Sequence, residues 1–498
     1  MTAGILAGLP PARPVGAAEV ALRVAASGRV LVVLDDDPTG TQAVAGIPVL
    51  TQWTVPDLRW AFDQAVPAFF VLTNTRALPA ERAAARNREV IRALVTAAGQ
   101  AGARFAVASR GDSTLRGHYP LETDAIASEL RAAAGTTVDG VILVPAYLDA
   151  GRLTVGGVHW VRGPGGLVPV GETEFARDPS FGFRSSHLGE YVEEKTGGRW
   201  RAGDVPAISL AGLRTGSMAA LVATLTSLEG GMPVIVDAAS EDDLRMLALA
   251  AMAAEAAGKT LVYRCGPSFV RARAGLEPRP PLGAADLAAI RDQGGALDAG
   301  NRDAAAGTGP RAGHGLVIVG SHVGQTTRQL GALSRLGDLT HLELDVPAVL
   351  AAGRQPDAAG RLAALAAGLA VAAAGALART DVVLTTSRAV AAGADSGASL
   401  AIARAVSDAV VAVARGVVSR VRPAWIIAKG GITSSEVATA GLGVRRAWAR
   451  GTLLPGIVSV WDPVDSRVPG TPYVVFAGNV GDEGSLAAAV TALRSGEA

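Results

Sequence analysis

Two stretches near the C-terminus combine residue types suited to holding a polyphosphate. They are Ala428-Lys429-Gly430-Gly431-Ile432-Thr433-Ser434-Ser435 and Phe476-Ala477-Gly478-Asn479-Val480-Gly481-Asp482. Each follows an apolar run, Trp425-Ile426-Ile427 in one case and Tyr473-Val474-Val475-Phe476 in the other. Residues without bulky side chains let an anion approach the backbone N–H groups directly. A strand that passes through such a loop into a helix aims several N–H donors and a positive helix end at one point. A third stretch, Val319-Gly320-Ser321-His322-Val323-Gly324-Gln325-Thr326-Thr327, has the same order of strand, small-residue turn and helix start. Together the three point to a nucleotide site in the second half of the chain.

The first half gathers charged side chains instead. Val32-Val33-Leu34 runs into Asp35-Asp36-Asp37-Pro38-Thr39-Gly40-Thr41-Gln42, three carboxylates at the C-terminal end of an apolar strand. That is where α/β proteins place their ligands. Such a cluster is costly unless a cation or hydroxyl donors offset the repulsion; the plain alternative is an acidic turn with an Asp helix cap. Ser109-Arg110-Gly111-Asp112-Ser113-Thr114-Leu115-Arg116-Gly117-His118 again follows an apolar run, as does Thr73-Asn74-Thr75-Arg76. Arginine pairs with carboxylate in a two-pronged geometry, while Asp and Ser suit sugar-type hydroxyls. Singly, each loop is as readily an ordinary polar turn; three at strand ends of one lobe favour a polar, carboxylate-bearing small molecule.

Several familiar arrangements are missing. No loop has the Gly, four residues, Gly-Lys-Ser/Thr of a Walker A motif, and the protein-kinase motif set is absent. The first strand leads into acids rather than the glycines of a dinucleotide fingerprint, which disfavours hydride transfer. Asp35-x-Asp37-x-Thr39 also matches the nucleophile motif of haloacid-dehalogenase-like phosphatases, with Thr73 as the second hydroxyl. That reading needs a placed lysine and a later acidic pair. Lys195 and Lys259 are the only lysines of the first half, and Asp242-Asp243 opens a helix instead. A two-lobe sugar-acid sensor without catalysis is a further alternative, and it would need no nucleotide site.

The elements that must position these loops are legible in outline. At 498 residues the chain exceeds one core and divides into two domains or three. Hydrophobic residues make up 49% and charged residues 18%, a globular balance, and the net charge of +1 offers no case for nucleic acid or an anionic membrane. The single cysteine, Cys265, forms no intramolecular disulfide and reads as a buried thiol. Residues 362–378 carry no charge but are mostly Ala and Gly, a packed helix rather than a membrane span. The N-terminal residues lack the pattern of a secretory signal, so a cytoplasmic setting is expected. Short β-branched runs alternate with Ala-rich helical stretches, which predicts an α/β fold: two α/β lobes with mainly parallel sheets and an active-site cleft between them. The lobes are expected at residues 1–276 and 315–498, with 277–314, rich in Pro, Gly and Ala, as a linker holding at most a short helix. Residues 151–198 lack helical periodicity and read as a loop region with small strands.

In this order the pieces resemble the four-carbon acid sugar kinase family. They are Asp36-Asp37-Pro38-Thr39-Gly40, Thr73-Asn74-Thr75-Arg76, Asp112-Ser113-Thr114, Gly151-Arg152-Leu153-Thr154, Gly320-Ser321, Lys429-Gly430-Gly431-Ile432-Thr433-Ser434 and Gly478-Asn479-Val480-Gly481. The resemblance runs from about Val30 to Leu486. It implies phosphorylation of tetronates such as threonate, erythronate and 3-oxo-tetronates by ATP with Mg²⁺, an N-terminal acid-sugar lobe and a C-terminal nucleotide lobe. By the same resemblance Ser321, Gly430, Gly431, Ile432, Thr433 and Gly478 become ATP contacts, with Lys429 and Asn479 beside them. Lys429 either adds a positive charge there or points to solvent. Asp36, Asp37, Arg76, Asp112 and Ser113 become the sugar-acid pocket, joined by Thr39 and by Arg116. Arg76 and Arg116 would grip the substrate carboxylate, and Asp37, with Asp112 as second choice, would accept the hydroxyl proton. No metal ligand is singled out, and a homo-oligomer is compatible with the pattern. Pro38, Gln42, Arg110-Gly111 and Arg116-Gly117-His118 depart from the family's usual residues, all within the substrate lobe.

Overall fold

The computed structural model describes residues 2–163, 165–300, 310–388, 396–478 and 480–495, without side chains at 2–3, 293–300 and 396–400. The chain forms two compact units, Met1–Arg279 and Pro280–Ala498. Each is built on its own run of parallel strands.

The first unit holds β1 (Arg29–Asp35), β2 (Ile47–Leu50), β3 (Ala68–Leu72), β4 (Arg104–Arg110) and β5 (Gly140–Val144). A small antiparallel sheet of β6 (Arg152–Val155), β7 (Val158–Gly163) and β8 (Gly166–Pro169) follows, then β9 (Ala207–Ile208), β10 (Met232–Val236) and β11 (Leu261–Cys265). The main strands run parallel in the order β2-β3-β1-β4-β11-β5-β10-β9. A parallel sheet covered on both faces needs uninterrupted apolar strands, and Leu31, Val32, Val33 and Leu34 are all buried. Helix Ala80–Ala101 supplies part of the cover by burying Ala83, Asn87, Val90, Ile91, Leu94 and Ala98 at helical spacing. It stops at Gly102, whose φ of 61° is left-handed. The small sheet rests on a separate apolar cluster that includes Leu115, Tyr119, Val161, Phe183 and Tyr191.

The second unit holds β12 (Leu316–Val319), β13 (Leu339–Leu344), β14 (Asp381–Thr386), β15 (Ile426–Lys429), β16 (Arg446–Leu454), β17 (Ile457–Asp465) and β18 (Tyr473–Phe476). In the order β13-β14-β12-β15-β18 the strands are parallel; β17 and β16 continue as an antiparallel hairpin. The hairpin was not among the expected elements, although Pro455-Gly456 between its strands is a turn signal. Within 277–314 the structure has a 17-residue helix, Ala284–Gly300, rather than a short one. Its Leu287 and Ile290 are buried in this unit's core with Trp425, Val460 and Phe476, so the first turns of the helix pack into that core. Among the described residues one helix, Ala358–Ala376, is long and apolar enough to cross a bilayer by length and composition. Its Ala366, Ala370, Ala373 and Ala376 are buried, and Ala370 lies so close to Gly416 that a Cβ there would be 2.7 Å from it.

Candidate functional site

In the first unit the polar loops meet because β3, β1 and β4 are neighbours. Asp35 is in register with Leu72 on one side and Arg110 on the other, so the loops after all three strands open at the same sheet end. Asp35, Asp36 and Arg110 are almost fully buried. Arg110 pairs with Asp35 through Nε, donates through Nη2 to the Asp37 carbonyl at 2.6 Å and to Asp37 Oδ1 at 2.9 Å, and lies 3.3 Å from Asp36 Oδ1. Burial pushes the Asp35 carboxyl up to about 7, against the pull of Arg110. Gly40 lies over this pair; a Cβ there would stand 2.3 and 2.5 Å from the Asp35 oxygens. Only glycine permits that approach.

Arg76 reaches Asp37, Asp112 at 3.2 Å and Asp36 at 3.7 Å. Thr39 donates to Asp37 Oδ1 from both N–H (2.9 Å) and hydroxyl (2.5 Å). Asp112 accepts from Thr114 N–H, from the Thr114 hydroxyl and from Arg116 Nε. Burial alone would raise its pKa, but the Arg76, Arg116 and Arg152 guanidinium groups hold it well below the usual carboxylate range. Arg116 also approaches Asp178 at 3.5 Å and lies over the Phe175 ring. Asp36, Asp37, Thr39, Arg76, Asp112, Ser113 and Arg116 are thus brought into one polar corner. Lys195 is bound to the Gly182 carbonyl and Lys259 to Asp139 and the Leu228 carbonyl, so neither serves Asp35 or Asp37 as a phosphatase lysine.

The same corner contains residues that sequence reasoning left without a role. Arg152, the first residue of β6, donates from Nη1 to the Ser113 hydroxyl at 2.7 Å and lies over the Tyr147 and Phe175 rings. Among the described residues no carboxylate is within ion-pair distance of Arg152, and its Nε is buried without a partner. Gln42 accepts from the Tyr147 hydroxyl at 2.9 Å, while its Nε2 is buried and unpaired. Both Asp36 carboxylate oxygens are likewise buried without a hydrogen bond. His159, pushed down to about 4 by burial, donates from Nε2 to the Ser113 carbonyl at 2.8 Å and so fixes that loop. For Arg152 the sequence signal was Gly151-Arg152-Leu153-Thr154, and a four-residue strand carries too little periodicity to show which way that side chain points.

In the second unit the three turns also converge through sheet order. β12, β15 and β18 are consecutive, with Val319 opposite Lys429 and Lys429 opposite Phe476. Gly320 N–H donates to the Lys429 carbonyl at 3.3 Å and Gly430 N–H to the Phe476 carbonyl at 2.8 Å. The glycines allow the turns to touch: a Cβ at Gly320 would be 2.3 Å from Thr433 Oγ1, and one at Gly478 2.7 Å from Ser321 Oγ. Gly430 has a φ of 120°, closed to ordinary side chains. Gly431, Ile432 and Thr433 start the short helix Gly431–Glu436, whose first amides have no intrahelical acceptor. The Thr326 hydroxyl ties Ser321 Oγ to the Gly478 carbonyl at 3.1 Å each. Arg388 donates to the Ser321 carbonyl at 2.6 Å. Asn479 lies outside the described residues.

Lys429 does not point to solvent. Its side chain is fully buried, Nζ donates to the Ala477 carbonyl at 2.9 Å, and the ammonium stands 3.9 Å from the Phe476 ring centre. Burial pushes it down to about 7. Beside the turns is a pocket of about 250 Å³ with apolar walls from Val346, Ile402, Val406, Val410, Ile432 and Val437. Its polar edge includes His322, Thr386, Thr433 and Glu436. A mainly apolar pocket next to turns rich in backbone amides can take a heteroaromatic base with a phosphate chain.

Comparison with known proteins gives concordant results. Residues 31–273 match a sugar-binding N-terminal domain and residues 316–486 a nucleotide-binding C-terminal domain. A 3-oxo-tetronate kinase of Methylobacterium radiotolerans is 31% identical over 415 residues, 81% of this chain and 85% of that protein. A D-threonate kinase of Salmonella typhimurium is 28% identical over 227 residues, 44% of this chain and 48% of that one. A solved structure from Salmonella typhimurium LT2 superposes with a TM-score of 0.61 at 20% identity, covering 92% of this chain and 98% of that one. Another, from Haemophilus influenzae, does so with a TM-score of 0.55 at 18% identity over the same shares. Both share the fold.

Proposed function

The chain belongs to the four-carbon acid sugar kinase family and is a carbohydrate kinase, and from that premise we propose that it transfers the γ-phosphoryl group of ATP to the terminal hydroxyl of a threonate, erythronate or 3-oxo-tetronate. The observation that carries the substrate reading is a cluster of buried polar atoms in this corner without a hydrogen-bond partner: Arg152 Nε, Gln42 Nε2 and both Asp36 oxygens. Burying such groups without partners is costly, so they are matched to a ligand that supplies them. A short sugar acid does so, with a carboxylate for Arg152 and hydroxyls for Asp36 and Gln42. Arg76 and Arg116 then act chiefly by holding Asp37 and Asp112, with which they are already paired.

In the second unit the amides of Gly431, Ile432 and Thr433, with Ser321 and Gly478, would receive the phosphates, and the apolar pocket the base. Phosphoryl transfer asks a protein mainly for alignment and for neutralisation of charge. Magnesium would add to that neutralisation. Among the described residues no group of three or more His, Cys, Asp or Glu side chains could hold a metal ion, so the ion would arrive on the nucleotide phosphates. A cytoplasmic setting follows from the substrates. The decisive test is ADP release by the purified protein against a panel of four-carbon acids of both configurations. Turnover with at least one of them is expected; release no faster than without acceptor for every member would reject the proposal.

A further inference from the structure

We propose that Asp36, rather than Asp37 or Asp112, is the catalytic base that takes the proton of the phosphorylated hydroxyl; this rests on the kinase reading above. A general base needs a lone pair free to meet the reacting O–H. The five carboxylates of the corner differ sharply in that respect. Glu122 accepts from the Thr75 hydroxyl at 2.5 Å on one oxygen and from Arg264 Nη1 at 2.7 Å on the other. Asp35 is paired with Arg110 and lies behind the Gly40 backbone, where not even a methyl group fits. Asp37 Oδ1 accepts from Thr39 N–H, the Thr39 hydroxyl and Arg110, while Oδ2 meets Arg76. Asp112 Oδ1 accepts from Thr114 N–H; its Oδ2 takes the Thr114 hydroxyl, Arg116 Nε and, at 3.2 Å, Arg76.

Asp36 alone is left with its acceptor capacity unused. It is 1% exposed, and neither oxygen accepts a hydrogen bond. Arg110 and Arg76 flank Oδ1 at 3.3 and 3.7 Å without hydrogen-bond geometry, so they compensate its charge and leave its lone pairs open. On the other side Gly117, with a φ of 124°, keeps side-chain bulk away from Oδ2: a Cβ there would stand 3.3 Å from it. The backbone around Asp36 is fixed, since its N–H donates to the Arg110 carbonyl and its carbonyl accepts from Arg76 N–H. The carboxylate is therefore held at a defined place, as a base must be.

The step balances without any further reagent. The hydroxyl oxygen bonds to the γ-phosphorus as the bond from that phosphorus to the β–γ bridging oxygen breaks. That electron pair leaves with ADP, the hydroxyl proton passes to an Asp36 oxygen, and Asp36 later returns it to solvent.

The test compares wild type with Asp36→Asn and Asp36→Glu on the best acceptor of the four-carbon panel. A loss of kcat of about 100-fold or more is expected for Asp36→Asn, with KM for the sugar acid changed far less and partial recovery in Asp36→Glu. If Asp36→Asn keeps more than about a tenth of kcat, or loses affinity and turnover in equal proportion, the assignment is wrong. A wild-type protein that phosphorylates no four-carbon acid would instead reject the function itself. A measurement independent of variant folding is a wild-type crystal with the sugar acid and a non-hydrolysable ATP analogue. The hydroxyl facing the γ-phosphate should lie within about 3.2 Å of an Asp36 oxygen; a closer approach to Asp37 or Asp112 overturns the proposal.

Discussion

Around Asp36 the first unit surrounds its polar corner with guanidinium and carboxylate groups that pair one with another, whereas around Gly430 the second unit brings backbone amides and hydroxyls together. In the first, the proposed specificity lies in capacity left unused: among the described residues Arg152 has no ionic partner and Asp36 accepts no hydrogen bond, whereas Arg76, Arg110 and Arg116 are each bound to a carboxylate. In the second, the one cation of the turn sequences, Lys429, is buried and spends its proton on the Ala477 carbonyl. Side-chain charges can distinguish a carboxylate from a hydroxyl, while clustered amides accept any phosphate that fits. A discriminating site and a generic one are thus built from different materials.

The largest expected break in this contrast is in the first unit. Arg110→Met would strand Asp35 in a buried setting, and such loss of one partner costs about 3–5 kcal/mol. Calorimetry should show the first unit melting much earlier; an unchanged melting temperature would mean that the buried ion pairs are not what holds the corner. Gly430→Val tests the second unit. Its left-side φ and the closeness of Thr433 and Ser321 predict a strained turn, about 1–3 kcal/mol by backbone alone, and at least tenfold weaker nucleotide binding by titration. Nucleotide binding at wild-type strength would sink the reading of that turn.

Arg152→Met sharpens the comparison further, because it removes a cation of the corner that has no ionic partner among the described residues. KM for the sugar acid should rise about tenfold or more, since a hydrogen bond to a charged group contributes about 1.5–3 kcal/mol. Nucleotide affinity should not move, and a rise in both would show that Arg152 supports the fold rather than the carboxylate. The smallest effect concerns Lys429. Its native pKa is lowered to about 7 from 10.5, so within that window the unfolded chain holds a proton that the native chain has released. Stability therefore rises with pH from about 7 upward, and Lys429→Met should flatten that rise. Identical pH profiles of melting for both proteins would contradict a buried, deprotonating lysine.

The strand–turn pattern was readable for local reasons. The strands Arg29–Asp35 and Tyr473–Phe476 lie at the apolar runs Val32-Val33-Leu34 and Tyr473-Val474-Val475-Phe476, since a buried parallel strand leaves a continuous hydrophobic signature. Helix Ala284–Gly300 was harder to see because its apolar positions are sparse among Ala and Gly, and only burial of Leu287 and Ile290 reveals its role. Strand order, which alone makes β3, β1 and β4 neighbours, has no local signature at all.

Residue types in a linear order were enough to indicate an acid-and-arginine region, a glycine-turn region and the class of chemistry each supports. They could not say which charges cancel. Asp36 and Asp37 are adjacent in the chain and chemically identical, yet one has filled its acceptor sites and the other has not. That difference arises because pairing depends on distance and direction between loops from separate strands, which packing sets and composition does not.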